Sequence, residues 1–588
     1  MIRAHWEEYS MPEVERQYLD RYLTNQKQTI SPESKPEDFF ARFCIAQILK
    51  TKDLSMDERE DGYVSGPYDG GIDGAYLFVA GKFVTDDMEP SDLDDYEGLT
   101  LSFHLVQATQ SAHFTAEQLR KFEDTSKDLL DLTKNVDANP ELYNAAVRGM
   151  MRRFRNWWSA LQTKLPTTTI TFHVASKGDD IHQNVKTRAE GLKAIVGGLY
   201  PCQCDVLFYN AKTLLEMAKT PRRSPVTLKF TPPHVASASL GNAYAVLVPL
   251  PDYINFLVTP NGERRDYILE PNVRAFLGAK GINSQILATL TSATPYTEEF
   301  WWLNNGVTIT ASKVTPSINS LLLTEARLVN GLQTSRMIYQ YYKEKAEELK
   351  SDQRHILVKV IEAAPKVARH IVTTTNSQTK VDPIYLRTST DPIHDKIEAA
   401  LPDFGFHYER VKNQYYEDET VLPKQIVSLP YLTRAIIAIF MQDPGSARGG
   451  PDKFAQKHYP KMFSPNSKPD FFGHIAQIMK RVDQYLIAEV PLKNDRTNLC
   501  YYLAYDATCS ILKKSHLQRG LISQMNMKRL TDDLLARSLQ RVNGLYKKLI
   551  SRGIEPDLVG KGREFTTELK AELSKEYPVR LRRKKAPA

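Results

Sequence analysis

The sequence has little cysteine, lacks long apolar runs, and lacks the short motifs of several large enzyme classes. Its 588 residues include only five cysteines, an odd and scattered set that predicts a reducing compartment, by default the cytoplasm, and no disulfide framework. Its apolar runs fall short of the roughly 18 residues of a membrane span, and its first residues lack a signal-peptide pattern. The absence of GxxxxGK[ST], HExxH and GxSxG argues against a P-loop NTPase, a zincin and an α/β-hydrolase.

Charge of neither sign dominates. The chain has 77 Lys and Arg against 70 Asp and Glu, so its net charge of +7 permits contact with nucleic acid without requiring it. Acids are concentrated in DDMEPSDLDDYE (86–97) and bases in the tail RLRRKKAPA, which predict a solvated loop and a disordered end, with phosphate binding as the alternative for the tail. Apolar residues at 42% and charged residues at 25% are typical of a water-soluble globular protein.

The order of helix and strand signals predicts an α/β protein with three regions. Residues 1–225 alternate the two signals, which is typical of an α/β domain with a mixed sheet. The proline-rich stretch PRRSPVTLKFTPPH predicts a boundary before an α+β domain over 235–430. Residues 431–588 carry apolar residues at helical spacing and are predicted to be mainly helical, with a basic tail.

The segments YDGGIDGAYLFV and LSFHLVQATQ hold the most informative polar residues. Asp69 and Asp73 surround a glycine turn that enters a strand, and Gln107 lies on the next apolar strand, so their side chains are expected to meet at one edge of a sheet. Carboxylates that converge in this way bind hard divalent cations, which suits phosphodiester hydrolysis. A plain hairpin turn explains the same glycines.

This arrangement resembles the PD-(D/E)XK nuclease superfamily: a helix with an acid (Glu37 or Asp38), then GGIDG, then a strand ending in a Gln-centred tripeptide. The resemblance implies that Asp73 binds Mg²⁺ or Mn²⁺ with Asp69 and Glu37, and that Gln107 is the polar residue of the strand. Position 109, where that family has Lys, is Thr109, and Lys121 on the next helix is the best candidate to replace it. The alternative is a degenerate nuclease fold that lacks the catalytic lysine and binds nucleic acid without cleaving it.

A second resemblance covers most of residues 240–460. The segments FWWLNNGVTITAS, LVNGLQTSRMIYQ, IVTTTNSQTKV and FHYERVKNQ occur in the order seen in the abortive infection phage resistance (AIPR) family. The resemblance implies a role in bacterial defence against phage, and members of that family often carry an N-terminal nuclease-like region.

Two Asn-Gly pairs dominate these segments. Asn305-Gly306 predicts a hairpin flanked by Trp301 and Leu303 on one side and by Val307 and Ile309 on the other. Asn330-Gly331 predicts the end of a strand, with a helix beginning near Thr334 or Ser335. The N-terminus of such a helix favours an anion, although capping alone explains the pattern. The candidate ligand or nucleic-acid-binding residues are Asn304, Asn305, Gly306, Asn330, Gly331, Gln333, Thr334, Asn376, Gln378 and Arg410.

Some of these candidates also have purely structural interpretations. Asn376 and Gln378 offer amide donors and acceptors, which suit recognition of a base or backbone and equally suit a buried hydrogen-bond network. Arg410 in HYER faces a phosphate in one interpretation and belongs to an ion-paired strand end in the other.

Two functions follow as hypotheses. The first is a Mg²⁺- or Mn²⁺-dependent nuclease that acts on phage or host DNA or RNA and responds to a phage-derived trigger. The second is a non-catalytic sensor or nucleic-acid-binding protein built on the same fold. Apolar and aromatic helices after residue 430 permit a homo-oligomer, and core packing explains the same pattern.

Overall fold

The computed structural model divides the chain into two compact units, Met1–Asp382 and Pro383–Ala588. Several stretches within them fall outside the described part of the chain, among them the basic tail and most of the acidic run. The residues that the structure describes are 11–52, 54–85, 88–90, 99–164, 166–178, 181–220, 224–238, 241–259, 262, 264–269, 282–291, 299–347, 351–364, 367–368, 371, 391–410, 412–415 and 420–578.

The first unit begins with a mixed sheet in the order β2-β1-β3-β4-β5. β1 is antiparallel to β2 and β3, whereas β3, β4 and β5 are parallel. The strands are β1 Gly74–Val79, β2 Lys82–Phe83, β3 Thr100–Thr109, β4 Thr167–Ser176 and β5 Gln203–Tyr209. The helices around them are α1 Met11–Ile30, α2 Pro36–Ile48, α3 Met56–Gly62, α4 Ala116–Thr125, α5 Ala145–Leu161, α6 Gln183–Leu199 and α7 Ala211–Lys219. The predicted α/β class is confirmed.

Alternation along β3 explains why helices cover both faces of this sheet. Phe103 and Leu105 join the apolar cluster that includes α4, α5 and α6, and Phe103 stacks on Phe154 of α5 at 4.7 Å between ring centroids. Val106 belongs to the opposite cluster with α1, α2 and α7. Because successive side chains of a strand point to opposite faces, Gln107 shares the face of Leu105 and His104 shares that of Val106. The polar residues His104 and Gln107 of β3 therefore lie on opposite faces of the sheet.

The rest of the first unit contains a sheet in the order β10-β11-β6 and another in the order β12-β9-β13-β8-β7. Their strands are β6 Val226–Lys229, β7 Thr231–Ser237, β8 Ala243–Pro249, β9 Val307–Ala311, β10 Lys313–Ser317, β11 Ser320–Thr324, β12 Arg327–Asn330 and β13 His355–Glu362. The helices are α8 Leu250–Leu257, α9 Asp266–Leu269, α10 Ile282–Thr291, α11 Phe300–Leu303 and α12 Leu332–Glu344.

The predicted hairpin at Asn305-Gly306 is wrong. Phe300–Leu303 is a short helix that buries Phe300, and Asn304 Nδ2 donates a hydrogen bond to the Phe300 carbonyl at 2.9 Å. Val307–Ala311 pairs instead with β12 and β13, which are distant in sequence. Gly306 has φ +71, and a Cβ atom there would lie 2.3 Å from the carbonyl oxygen of Leu357. Its glycine thus permits close contact with β13 and does not make a two-residue turn.

A second boundary also differs from its prediction. The continuous apolar stretch AYAVLVPLPDYINFL by itself favours one long strand, but it forms β8 and then α8, which begins at Leu250 with proline in its first turn. Proline is favoured in the first turn because its missing N–H would have no helical partner there. By contrast, the predicted strand end at Asn330 is confirmed, and the helix after it begins at Leu332, slightly earlier than expected.

The second unit is mainly helical, as predicted. A parallel pair of short strands, β14 His407–Glu409 and β15 Ile426–Ser428, precedes most of its helices. The helices are α13 Pro392–Ala400, α14 Leu429–Ile439, α15 Pro444–Gly449, α16 Pro451–Met462, α17 Pro469–Glu489, α18 Lys493–Leu512, α19 Arg519–Ser523, α20 Asp532–Ile550, α21 Pro556–Lys561 and α22 Arg563–Glu576. In the part of the chain that the structure describes, no helix has the length and apolar character needed to cross a membrane.

Candidate functional site

Asp73 lies at the end of a glycine turn, directly before β1. Gly70 and Gly71 have φ +65 and +81, a conformation that side chains with a Cβ disfavour. The backbone N–H of Asp73 donates to the Val106 carbonyl at 2.8 Å, so the turn joins the β1–β3 ladder. The sequence GGID thus fixes the Asp73 carboxylate against β3.

The carboxylate of Asp73 is held on both oxygens. Oδ1 accepts a hydrogen bond from Ser65 Oγ at 2.5 Å, and Oδ2 accepts one from the backbone N–H of Ala108 at 2.8 Å. Burial raises the pKa of Asp73 to about 6; the two hydrogen bonds lower the pKa, and the charges of Asp69 and Asp38 raise it. A carboxyl group with a pKa this close to neutrality is typical of functional sites.

Asp69 shapes the same turn. Its carboxylate accepts hydrogen bonds from the backbone N–H groups of Gly66 at 3.1 Å and Gly71 at 2.8 Å. Burial raises the pKa of Asp69, whereas these hydrogen bonds and the positive charge of Lys121 lower it. Asp69 therefore stabilises the turn, and it lies close enough to Lys121 for the lysine's charge to lower its pKa.

Of the two acids considered on the first predicted helix, the structure brings Asp38 to the site. Asp38 accepts a hydrogen bond from the hydroxyl of Tyr63 at 3.1 Å, and its charge acts on the pKa of Asp73. Glu37, one residue earlier in the first turn of α2, is exposed. The phase of α2 therefore favours Asp38 as the acid that faces the turn.

Gln107 and Lys121 converge on Gly71. A Cβ atom on Gly71 would lie 2.9 Å from the Cβ of Lys121 and 3.0 Å from Nε2 of Gln107. Gln107 is only 8% exposed, and its Oε1 is buried without a hydrogen-bond partner. A buried acceptor without a protein partner costs about 1–3 kcal/mol unless a water molecule or a ligand supplies the missing contact.

Thr109 occupies the position at which a lysine was expected. It is half-buried at the end of β3, and its hydroxyl accepts a hydrogen bond from the Ser111 N–H at 3.2 Å. The side chain therefore organises the chain after β3. Lys121 of α4 lies against the glycine turn, with its Cβ and Cδ near Gly71 and its charge acting on Asp69.

The polar side chains at this turn, Asp73, Asp69, Asp38 and Gln107, fit a divalent cation only in part. Among the described residues, no group of three or more His, Cys, Asp and Glu side chains could hold a metal ion. Mg²⁺, however, is commonly held by one or two carboxylates together with water and substrate oxygens. The Asp73 carboxylate, which is hydrogen-bonded to Ala108, and the unpartnered Oε1 of Gln107, the residue before Ala108 on β3, are ligands of that kind. The set therefore fits Mg²⁺ or Mn²⁺ with substrate present better than a preformed all-protein cage.

The two Asn-Gly pairs also lie together. β12 pairs with β9 so that Asn330 lies opposite Thr308, and a Cβ atom on Gly331 would be 2.9 Å from the carbonyl oxygen of Gly306. Asn304 and Asn330 are half-buried, and Asn305 is exposed. The sequence did not predict this meeting, because it depends on the long-range pairing of β9 with β12.

At the start of α12, Gly331 has φ +91 and occupies the N-cap position. Gln333 is half-buried and Thr334 is buried in the first turn. Ser335 Oγ donates to the Gly331 carbonyl at 2.9 Å and contacts the Tyr253 hydroxyl at 2.7 Å. The helix start, for which the sequence allowed either an anion site or capping alone, is thus tied into the core through Ser335.

Of the remaining candidate residues, the structure describes Arg410 but not Asn376 or Gln378. Arg410 is 4% exposed, and its guanidinium pairs with Asp395 and, at 3.7 Å, with Glu398. These pairs match the ion-paired strand end that the sequence allowed. Asn376 and Gln378 lie outside the described residues.

Sequence reasoning missed a buried lysine at the neighbouring strand end. Lys177 follows β4 directly, and its Nζ donates to Asp20 at 2.5 Å and to Gln110 Oε1 at 3.2 Å. Because β4 runs parallel to β3, the position after Ser176 lies beside the position after Thr109. A lysine directly after a strand parallel to β3 is the signal that would have identified it.

Sequence reasoning also missed a buried polar chain on the opposite face from Gln107. His104 Nδ1 lies 3.0 Å from His173 Nε2, and His173 Nδ1 lies 3.0 Å from the Tyr209 hydroxyl. Burial lowers the pKa of His173 to about 3 and that of His104 well below its usual value. Both imidazoles are therefore neutral near pH 7. The hydrogen-bonded side chains of His104, His173 and Tyr209 link the neighbouring strands β3, β4 and β5.

The architecture defines a mixed α/β protein with a helical C-terminal unit. Residues 269–548, slightly less than half of the chain, match the model of the family described as AIPR protein, so this part of the chain is similar to that family. That family implies abortive infection, a form of defence against phage. Neither the search of curated proteins nor the search of solved structures found a match.

Proposed function

We propose that this protein acts in anti-phage defence by hydrolysing nucleic-acid phosphodiesters at the Asp73 turn, with Mg²⁺ or Mn²⁺ as cofactor. The observation that carries the proposal is the convergence of an acid, an unpartnered amide oxygen and a cation. Gln107 of β3 and Lys121 of α4 both lie against Gly71, two residues before Asp73, and the Asp73 carboxylate accepts a hydrogen bond from the N–H of Ala108, which follows Gln107 on β3.

Each side chain has a definable task in such a reaction. Asp73 and Gln107 would hold the metal ion, which when bound lowers the pKa of water and offsets phosphoryl charge. Ser65 and the Ala108 N–H orient the Asp73 carboxylate through its two oxygens. Lys121 brings positive charge to the place where the phosphoryl group gains negative charge, the kind of contribution that is worth orders of magnitude in rate.

A non-catalytic binding platform is the second candidate, and a specific observation favours it. The oxygens of Asp73 and Asp69 already accept hydrogen bonds from within the protein, and the residue at position 109 is threonine. In this case Lys121 would contact a phosphate without turnover.

The decisive experiment is cleavage of labelled single-stranded DNA, double-stranded DNA and RNA, with Mg²⁺, Mn²⁺ or EDTA and with phage extract as a possible trigger. The wild type is compared with Asp73→Asn and Lys121→Met. We expect metal-dependent cleavage that falls about a hundredfold or more in each variant, a loss typical of removing one charge-stabilising group.

Lys127→Met is the matched control, because Lys127 is an exposed lysine in the helical turn that follows α4. It should cleave like the wild type. Binding of substrate without cleavage, in every metal and with extract, would support the platform and overturn the nuclease.

A further inference from the structure

An aromatic side chain stands exposed on the glycine turn that precedes Asp73. Tyr68 comes directly before Asp69, and 69% of its surface is exposed. Its side chain makes no hydrogen bond and no ring contact with another residue that the structure describes. Tyr143, which lies against Gly70 of the same turn, is by contrast buried. Packing within the protein therefore does not account for the ring of Tyr68.

The backbone of Tyr68 holds a conformation that favours glycine. Its φ is +62, in the left-handed region, which costs a residue with a Cβ about 1–2 kcal/mol and costs glycine almost nothing. The turn alone would be more stable with glycine at this position. The shape of the turn therefore does not account for the tyrosine either.

Hydrogen bonds from two helices fix the position of Tyr68. The N–H of Asn144, the N-cap residue of α5, donates to the Tyr68 carbonyl at 2.7 Å, and Asn144 Nδ2 donates to the Val64 carbonyl at 3.2 Å. Thr125 Oγ1 of α4 donates to the Gly70 carbonyl at 2.9 Å. A ring on a backbone anchored in this way loses little conformational freedom when it binds a flat partner.

Tyr68 also lies close to the groups proposed to act on phosphate. It precedes Gly71 by three positions, so the Cα atoms of the two residues lie within about 11 Å of each other. Lys121 lies against Gly71, and its side chain is exposed. A phosphate near Lys121 and a base on the ring of Tyr68 can therefore belong to the same strand.

We propose that Tyr68 stacks on an unpaired base of a single-stranded nucleic acid, DNA or RNA, bound at the Asp73 turn. An exposed aromatic ring stacks on bases of any sequence, because every base has a π-face. In a duplex the neighbouring base pairs cover these faces, so the ring selects single strands and splayed ends. The proposal rests on the function proposed above for the position of the phosphate, and it adds the class of substrate.

The test measures binding of fluorescein-labelled single-stranded DNA, single-stranded RNA and duplex DNA by anisotropy, with EDTA to prevent cleavage. Tyr68→Ala and Tyr68→Gly are compared with Tyr68→Phe, which keeps the ring, and with Tyr18→Ala, which removes a similarly exposed tyrosine from α1. We expect Tyr68→Ala and Tyr68→Gly to weaken single-strand binding about 5- to 150-fold, the equivalent of about 1–3 kcal/mol for one stacked base. The two control variants should bind single strands like the wild type, and no variant should change duplex binding.

Tyr68→Gly separates loss of the ring from damage to the turn. Because glycine adopts this φ without strain, the variant should melt at or above the wild-type temperature while it loses single-strand binding. The stacking proposal is overturned if Tyr68→Gly binds like the wild type, if it loses duplex binding to the same extent, or if neither single strand binds.

A parallel cleavage assay with Mg²⁺ or Mn²⁺ separates this proposal from the nuclease. If the wild type cuts single strands and Tyr68→Gly binds and cuts them equally well, stacking is refuted and the nuclease stands. If no strand is cut but Tyr68→Gly loses single-strand binding, the nuclease is refuted and stacking is supported on a non-catalytic platform.

Discussion

The buried histidines of the first sheet predict a sharp dependence of stability on pH. His173 is 4% exposed and lies between His104 and Tyr209, and its pKa is about 3 in the folded protein. In the unfolded chain a histidine has a pKa of about 6.5. Because the folded-state pKa is depressed, the unfolded state binds more protons below pH 6.5, and stability is lost as the pH falls through that value.

The size of the effect follows from the two pKa values. At pH 5 the unfolded imidazole is almost fully protonated and the native one is almost neutral, which destabilises the fold by about 2 kcal/mol relative to pH 7.5. The substitution His173→Phe removes this difference, because phenylalanine does not titrate. It also removes the hydrogen bonds to His104 and Tyr209, so the variant should be less stable at pH 7.5 and less sensitive to acid.

Urea unfolding followed by tryptophan fluorescence measures this directly, because all five tryptophans precede residue 383 and report on the first unit. The quantity to compare is the free energy of unfolding at pH 7.5 minus that at pH 5. This difference should shrink by about 2 kcal/mol in His173→Phe and stay at the wild-type value in His182→Gln, where the histidine is exposed. An unchanged pH dependence in His173→Phe would refute the assignment of a neutral, buried imidazole.

Two further predictions concern packing. Gly306→Ala should destabilise the first unit by at least about 2 kcal/mol more than Gly262→Ala in the same urea assay, because both glycines have positive φ but only Gly306 lies against backbone. Equal losses would contradict the close approach of Gly306 to Leu357. Gln107→Met, similar in size, should leave the unit as stable or stabilise it by about 1 kcal/mol, since it removes a buried acceptor without a partner; a clear loss of stability would show that Oε1 has a structural partner.

The first sheet was predictable from the sequence because its signals are local. Strand LSFHLVQAT and the helix that begins at TAEQ have clear periodicity, and Thr115 with Gln118 forms a capping box in which the Thr115 N–H donates to Gln118 Oε1 at 2.8 Å. The approach of Gln107 to the Asp73 turn followed from strand direction alone. The choice between Glu37 and Asp38 did not, because it depends on the phase of one helix turn against the sheet.

What failed depends on partners distant in sequence. Asn305-Gly306 carries a strong hairpin signal, yet β9 gains more from pairing with β12 and β13 and from burying Val307 and Ile309.

The ladder between β1 and β3 has a mechanical consequence for the Asp73 turn. Every residue of β1 is paired with β3, and a shift of one residue would turn its side chains to the opposite face. Asp73 and Gln107 therefore behave as one rigid part, fixed by the register of the sheet. Lys121 lies on the separate helix α4, so a displacement of α4 would move the lysine without changing the strand register that fixes Asp73 and Gln107.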